Sequence, residues 1–349
     1  MTTHTANKFG PYLPNDQVSD QLYHLDPAFG VCNRTSGCFP HQSRLRLGNS
    51  QPFTRFHRLY DSVMAARQMS TLALGLIAAL CWGFHDICVR FLSQRTPLSA
   101  CIFIVLLTGL IFHTLLTAVS GEIQTLPMQA IWLSLAAGVF FVIATFGLYY
   151  AFERGPVRLV APVIAGYPIL SVGLAAVQGT PIAAAQWAAV VAIVVGVAVV
   201  AAMSDTSSHD NPPIGPTILF ATISAFGFAG TFALGQYAAD ISHEMPTTLV
   251  TRVLAVGLTV VILLAFKQPF WPGKRALPML ITMGVADGIA LYCVLSAGTL
   301  PDPQYAAVTA SMFGLLTILL AWVFLKERVT LVQWIGCTVA FCGVGILAL

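Results

Sequence analysis

Five ionisable side chains sit inside otherwise apolar stretches of this sequence: His85, Asp86, His113, Arg252 and Asp287. An ionisable group at the centre of a membrane helix costs about 2.5–3.5 kcal/mol by insertion measurements, so each asks for a compensating role. Asp287 falls near the middle of its run with Gly284 and Gly288 beside it. A carboxyl there reads either as a coupling acid that takes up and releases a proton or as a group hydrogen-bonded within the helix packing. Asp86 stands four residues before Arg90, on the same helix face and in the acid-before-base order that favours an ion pair, so it is either a second proton group or half of a structural pair. His85, about 100° further round the helix, is a proton group or a packing residue. Arg252 lies about two turns into its run. It reaches water along its apolar stem, or it faces the interior and bonds a carboxylate or phosphate of a bound solute with its planar fork. His113 stands alone in a Leu/Ile/Thr run and is expected to bond a neighbouring carbonyl.

These readings require the surrounding runs to be membrane helices, and the composition requires the same. Hydrophobic residues make up 57% of the 349 positions, charged residues 9%, and the mean hydropathy is +0.79. Soluble domains carry about 25% charged residues, so this inventory cannot cover a water-facing surface. A net charge of +3 without a basic stripe excludes nucleic acid as a partner. Of eight cysteines, Cys81, Cys88, Cys101, Cys293, Cys337 and Cys342 lie in apolar runs and behave as small hydrophobes. Cys32 and Cys38 lack the second pair or His spacing of a zinc site, so no metal and no cofactor is expected.

From Ser70 onward, apolar runs of about 20 residues recur, each long enough to cross a ~30 Å hydrocarbon core as a helix. Ten are expected, at 71–91, 98–119, 130–152, 157–178, 185–203, 215–237, 247–266, 276–297, 304–325 and 331–349. The fourth contains Pro162 and Gly166-Tyr167-Pro168, a kinked stretch whose freed carbonyls either accept from a solute or only fit the packing. The longest polar break, from Ser204 to Pro213, divides the spans five and five. A shift of 147 residues lays Pro156 on Pro303, Gln186-Trp187 on Gln333-Trp334 and Gly196-Val197 on Gly343-Val344. Shifts of 144 and 146 lay Gly83-Phe84 on Gly227-Phe228 and Gly138-Val139 on Gly284-Val285. The matches run in order, as a duplication would produce. Five helices is an odd number, so the second copy enters the membrane from the opposite side. Inverted repeats give two nearly equivalent conformations around a midplane site.

Leu80-Cys81-Trp82-Gly83, the stretch from Leu319 through Lys326-Glu327-Arg328-Val329-Thr330, then Gln333-Trp334-Ile335-Gly336 and Gly343-Val344 resemble the drug/metabolite transporter superfamily, specifically its EamA-type ten-helix members. The resemblance covers about residues 70–349. It implies a multi-pass protein of a bacterial inner (cell) membrane that exports amino acids, drugs or other small metabolites. Two departures stand out: Thr180 occupies the place of Glu327 in the first copy, and His85-Asp86 follow Trp82-Gly83-Phe84 where milder polar residues are the rule.

The expected organisation is therefore an all-α integral membrane protein of ten transmembrane helices in two inverted five-helix repeats. A polar tail covers 1–69, disordered or an upstream extension before a start at Met64 or Met69. The first repeat covers 70–203, a linker 204–214 and the second repeat 215–349. Trp82, Tyr149, Tyr150, Tyr167, Tyr292 and Tyr305 are placed to line a cavity. Of these, Trp82, Tyr150, Tyr167 and Tyr292, with Arg252, form the expected substrate-binding set, and Asp287, Asp86 and His85 the proton-coupling set. The expected function is secondary transport of a small organic solute by alternating access, coupled to protons and directed outward. The alternative is an intramembrane enzyme acting on lipid or peptide, which would need Asp86 and Asp287 within hydrogen-bonding range as a dyad. No catalytic motif, P-loop or channel filter occurs in the sequence.

Orientation is contested within the sequence. Nine Lys and Arg lie at the connections 1–2, 3–4, 7–8 and 9–10, which share one side, and the positive-inside rule makes that side cytoplasmic. The arginines of the tail and the usual arrangement of the family argue the opposite.

Overall fold

In hydrocarbon a backbone amide finds its partner only within its own segment, and the elements among the described residues are all helical. The computed structural model describes residues 51–121, 125–177, 183–203, 213–300 and 304–347. Its helices are α1 (Gln51–Ser93), α2 (Leu98–Ser120), α3 (Met128–Arg154), α4 (Val157–Ala165), α5 (Pro168–Val177), α6 (Ala184–Ala202), α7 (Ile214–Asp240), α8 (Glu244–Ala265), α9 (Leu277–Ser296), α10 (Gln304–Ala310), α11 (Phe313–Leu320) and α12 (Leu331–Leu347). A short 3₁₀ turn (Ala297–Thr299) follows α9, and a π-helical turn (Ala321–Leu325) follows α11. Residues Arg55–Leu349 form one compact unit.

Of the ten expected spans, seven are helices long and apolar enough to cross a membrane among the described residues. The fourth, fifth and tenth are shorter apolar helices, Val157–Leu170, Ala184–Val200 and Leu331–Ile346. The first helix begins at Gln51, so residues 51–69 of the expected tail are helical backbone continuous with the first span. Residues 1–50, with Cys32 and Cys38, lie outside the described residues, as do Thr180 and most of the expected linker. Leu115, Val261 and Phe324 are more than 60% exposed, an arrangement stable where the surrounding medium is itself apolar.

Both fourth-position spans are broken. Between α4 and α5, Gly166 and Tyr167 form a turn and Pro168, which has no N–H to give, opens α5. Between α10 and α11 the break falls at Ser311-Met312, where the Ser311 hydroxyl donates back to the Val308 carbonyl at 2.6 Å. The two broken spans pack together, with Gly314 of α11 against the Ala161 carbonyl of α4.

The halves contact each other reciprocally. A Cβ on Gly196 of α6 would stand 2.4 Å from the Gly336 carbonyl of α12, and one on Gly343 of α12 would stand 2.8 Å from the Ala189 carbonyl of α6. Adding 147 to 196 and 189 gives 343 and 336, so one contact is the image of the other. The pattern repeats elsewhere: Gly138 of α3 abuts the Thr251 carbonyl of α8, and Gly284 of α9 abuts the Val105 carbonyl of α2, related by 146. Glycine is needed at these crossings because any side chain would hold the backbones apart.

Candidate functional site

Position 82 and positions 85 and 86 are three and four residues apart, so α1 presents Trp82, His85 and Asp86 to overlapping parts of the interior. All three are buried, and they line a small cavity together with Val105, Leu106, Phe141, Thr145, Leu148, Tyr149, Phe228, Asp287 and Phe313. Walls therefore come from α1, α2 and α3 of the first half and α7, α9 and α11 of the second. The space measures about 20 Å³, enough for the centre of a water molecule.

One wall is an ion pair. Arg252 of α8 donates from Nη1 to Asp287 Oδ2 at 2.6 Å and from Nη2 to the Asp287 carbonyl at 3.1 Å. Its guanidinium carbon lies 4.6 Å from the centre of the Phe141 ring, a cation–π contact. Space for the guanidinium comes from Gly109 of α2, where a Cβ would stand 3.0 Å from Arg252 Nη1. Asp287 Oδ1 accepts from the Trp82 indole N–H at 3.0 Å, so this carboxylate is bonded on both oxygens. Arg252 has 0% exposure, so it does not reach water along its stem, and its guanidinium is spent on Asp287.

The other carboxylate is held differently. Asp86 Oδ1 lies 3.0 Å from His85 Nδ1, and His85 Nε2 lies 3.2 Å from the Tyr149 hydroxyl. With the imidazole as its Nδ1–H tautomer, Tyr149 donates to Nε2 and Nδ1–H donates to Asp86, a relay from α3 to α1. Asp86 Oδ2 is buried without a hydrogen-bond partner. The structural pair Asp86–Arg90 is not formed. Arg90, in the last turn of α1, instead donates to the Phe152 and Glu153 carbonyls at 2.7 and 3.2 Å, satisfying the end of α3. Nor do Asp86 and Asp287 make a dyad, since both oxygens of Asp287 are taken by Arg252 and Trp82 and Oδ2 of Asp86 has no partner. His113 bonds the Gly109 carbonyl through Nδ1 at 2.9 Å, the backbone partner expected for it.

The expected aromatic set divides. Trp82 lines the cavity and packs against Phe228, Phe232 and Phe313 at 5.4–6.1 Å between ring centres. Tyr167 is buried one layer out, its ring against Phe228 and Phe232 and its hydroxyl donating to the Ala307 carbonyl. Tyr150 points to a different place, beside Phe146 and Phe220, and Tyr292 is half-buried outside the cavity lining. The Tyr305 side chain lies outside the described residues. Phe141, Phe228 and Phe313 belong to the lining but carried no sequence signal, being three phenylalanines among 22.

A second cluster sits where α1 and α3 end and α4 begins. Glu327, which follows the π-helical turn and Lys326 in left-handed conformation (φ 54°), accepts from the Val157 N–H through Oε1 at 3.2 Å. It also lies 3.8 Å from Arg90 and 3.9 Å from Arg158. One carboxylate of the second half thus meets the end of α1 and the start of α4, and Arg90 carries the link on to the end of α3.

Comparison with known proteins follows this division into halves. The sequence matches the EamA-like transporter family over residues 69–202 and again over 215–349. The chain belongs to the EamA-like transporter family. Its family membership and its apolar helices make it a multi-pass integral membrane protein with two EamA repeats, of a kind that transports small solutes. A solved crystal structure has the same fold, with a TM-score of 0.60 at 17% identity over 80% of this chain and 96% of that one. No curated protein matches the sequence.

Proposed function

We propose that this EamA-family chain is a secondary active transporter that moves a small organic solute across a bacterial inner membrane by alternating access between its two repeats. The observation that carries the reading is the placement of Asp86 and Asp287, on α1 and α9, around one cavity walled by both halves. The reciprocal glycine contacts support inverted repeats, which supply two matching conformations, and the broken fourth spans meeting at Gly314 and Ala161 are where such folds bend. Outward direction rests on the family resemblance alone.

Proton coupling falls to Asp86 in this reading. Asp287 is neutralised by Arg252 and bonded by Trp82, so it changes protonation only if that pair opens. Asp86 keeps an oxygen without a donor and touches the His85 imidazole, which in turn meets the Tyr149 hydroxyl. The groups facing it are His85 and Cys88 of its own helix, Tyr149 of α3 and Asp287 of α9, with Arg252 of α8 behind Asp287. The test uses proteoliposomes containing a pH-sensitive dye, challenged with a panel of amino acids, amines and nucleosides with and without an imposed pH gradient. Wild-type protein is expected to move protons against at least one solute, and Asp86→Asn to lose the gradient dependence. Gradient-driven transport unchanged in Asp86→Asn would remove Asp86 from the coupling step.

A further inference from the structure

The two carboxyls at the cavity are held unequally. Arg252 and Trp82 take both oxygens of Asp287, whereas Asp86 is met only by His85, at Oδ1. Oδ2 of Asp86 is a buried oxygen without a partner. Buried carboxylate oxygens left unpaired are costly, and such exceptions ask for an occupant. The nearby donors are already committed: the Trp82 N–H to Asp287, the Tyr149 hydroxyl to His85, and the Thr145 hydroxyl to the Phe141 carbonyl. The missing donor has to come from outside the protein.

The rest of the wall indicates its chemistry. Trp82, with Phe228 and Phe313 each packed against it, presents aromatic rings whose faces attract cations and whose bodies accept apolar groups. We propose that the cavity binds the ammonium group of a small organic cation, its N–H donating to Asp86 Oδ2 and its apolar body resting on Trp82, Phe228 and Phe313; this rests on the transport reading above. An anionic solute meets two carboxylates and an arginine already engaged. A metal ion needs several oxygens at once, and among the described residues no group of three His, Cys, Asp or Glu is placed to hold one. The walls part to admit the cation, as an alternating-access cycle requires.

Binding to the intact protein in lipid nanodiscs, measured by calorimetry, tests this with three probes that share one body: phenethylamine (cationic), 2-phenylethanol (neutral) and 3-phenylpropionate (anionic). Phenethylamine is expected to bind best. Asp86→Asn is expected to weaken it at least about tenfold, the usual consequence of removing one partner of a buried charge pair, and Asp86→Glu to keep it. Should Asp86→Asn fail to fold, the ranking of the three probes on wild-type protein decides the matter. Equal or tighter binding of 3-phenylpropionate, no binding of any probe, or unchanged binding in folded Asp86→Asn would overturn the cation site. Counterflow of the solute panel in wild-type proteoliposomes separates the two readings: a protein that transports a solute but ignores phenethylamine loses only the cation site, whereas one that moves no solute loses the transport reading.

Discussion

Arg252 Nη1 lies 2.6 Å from Asp287 Oδ2, and the two residues belong to adjacent helices with no exposed surface on the arginine. The pair is short, charge-assisted and supplemented by Nη2 on the Asp287 carbonyl, the geometry a guanidinium achieves and an ammonium does not. It joins the second and third helices of the second repeat, while the Trp82 N–H ties the same carboxylate to the first helix of the first repeat.

Breaking one side of this pair leaves the other buried and unpaired. Asp287→Ala is expected to destabilise the folded protein by about 3–5 kcal/mol. The double replacement Arg252→Met with Asp287→Leu is expected to recover most of that loss. Unfolding in detergent micelles, run as a double-mutant cycle, measures it; additive losses would mean that the two side chains do not act as a pair.

The reciprocal crossings predict matched costs. A Cβ at Gly138 would stand 2.9 Å from the Thr251 carbonyl and one at Gly284 would stand 2.6 Å from the Val105 carbonyl. Gly138→Ala and Gly284→Ala should each cost about 1–3 kcal/mol, the range for overpacking a tight contact. Gly257, with open space around it, serves as the control and should tolerate alanine. Thermal unfolding of the three variants checks this, and a Gly284→Ala protein as stable as Gly257→Ala would contradict the close crossing.

Glu327 holds the start of α4 by accepting the Val157 N–H, with Arg90 and Arg158 at 3.8 and 3.9 Å. Its side chain is 13% exposed, so water weakens these ion pairs only in part. Glu327→Ala is expected to cost about 1 kcal/mol and to release the helix end, seen as faster amide hydrogen exchange at Val157 and its neighbours. Unaltered exchange there would show that the carboxylate does not restrain α4.

Membrane class, the all-helical fold and the duplication were legible in the sequence because each depends on composition or on spacing along the chain. Apolar runs of about 20 residues leave helices as the arrangement that satisfies the backbone, and glycine-phenylalanine and glycine-valine pairs recurring at 144–147 residues mark the copies. The short helices at the fourth position were partly legible too, through Gly166-Tyr167-Pro168, whereas the break at Ser311-Met312 carries no proline and was not. The five buried ionisable residues were also found from the sequence, since their cost in hydrocarbon singles them out wherever they fall.

Their pairing was decided by the tertiary structure alone. Spacing offered Arg90 as the partner of Asp86, because only neighbours on one helix can be matched by counting. The structure gives Asp86 to His85, which Tyr149 meets on its other nitrogen, Arg90 to the end of α3, and Arg252 to Asp287. Each of those choices depends on how helices cross, and the crossings are set by glycines meeting backbone carbonyls more than 100 residues away. The sequence by itself determined which residues need partners. Close packing of the helices determined which partner each one has, and left one oxygen of Asp86 without any.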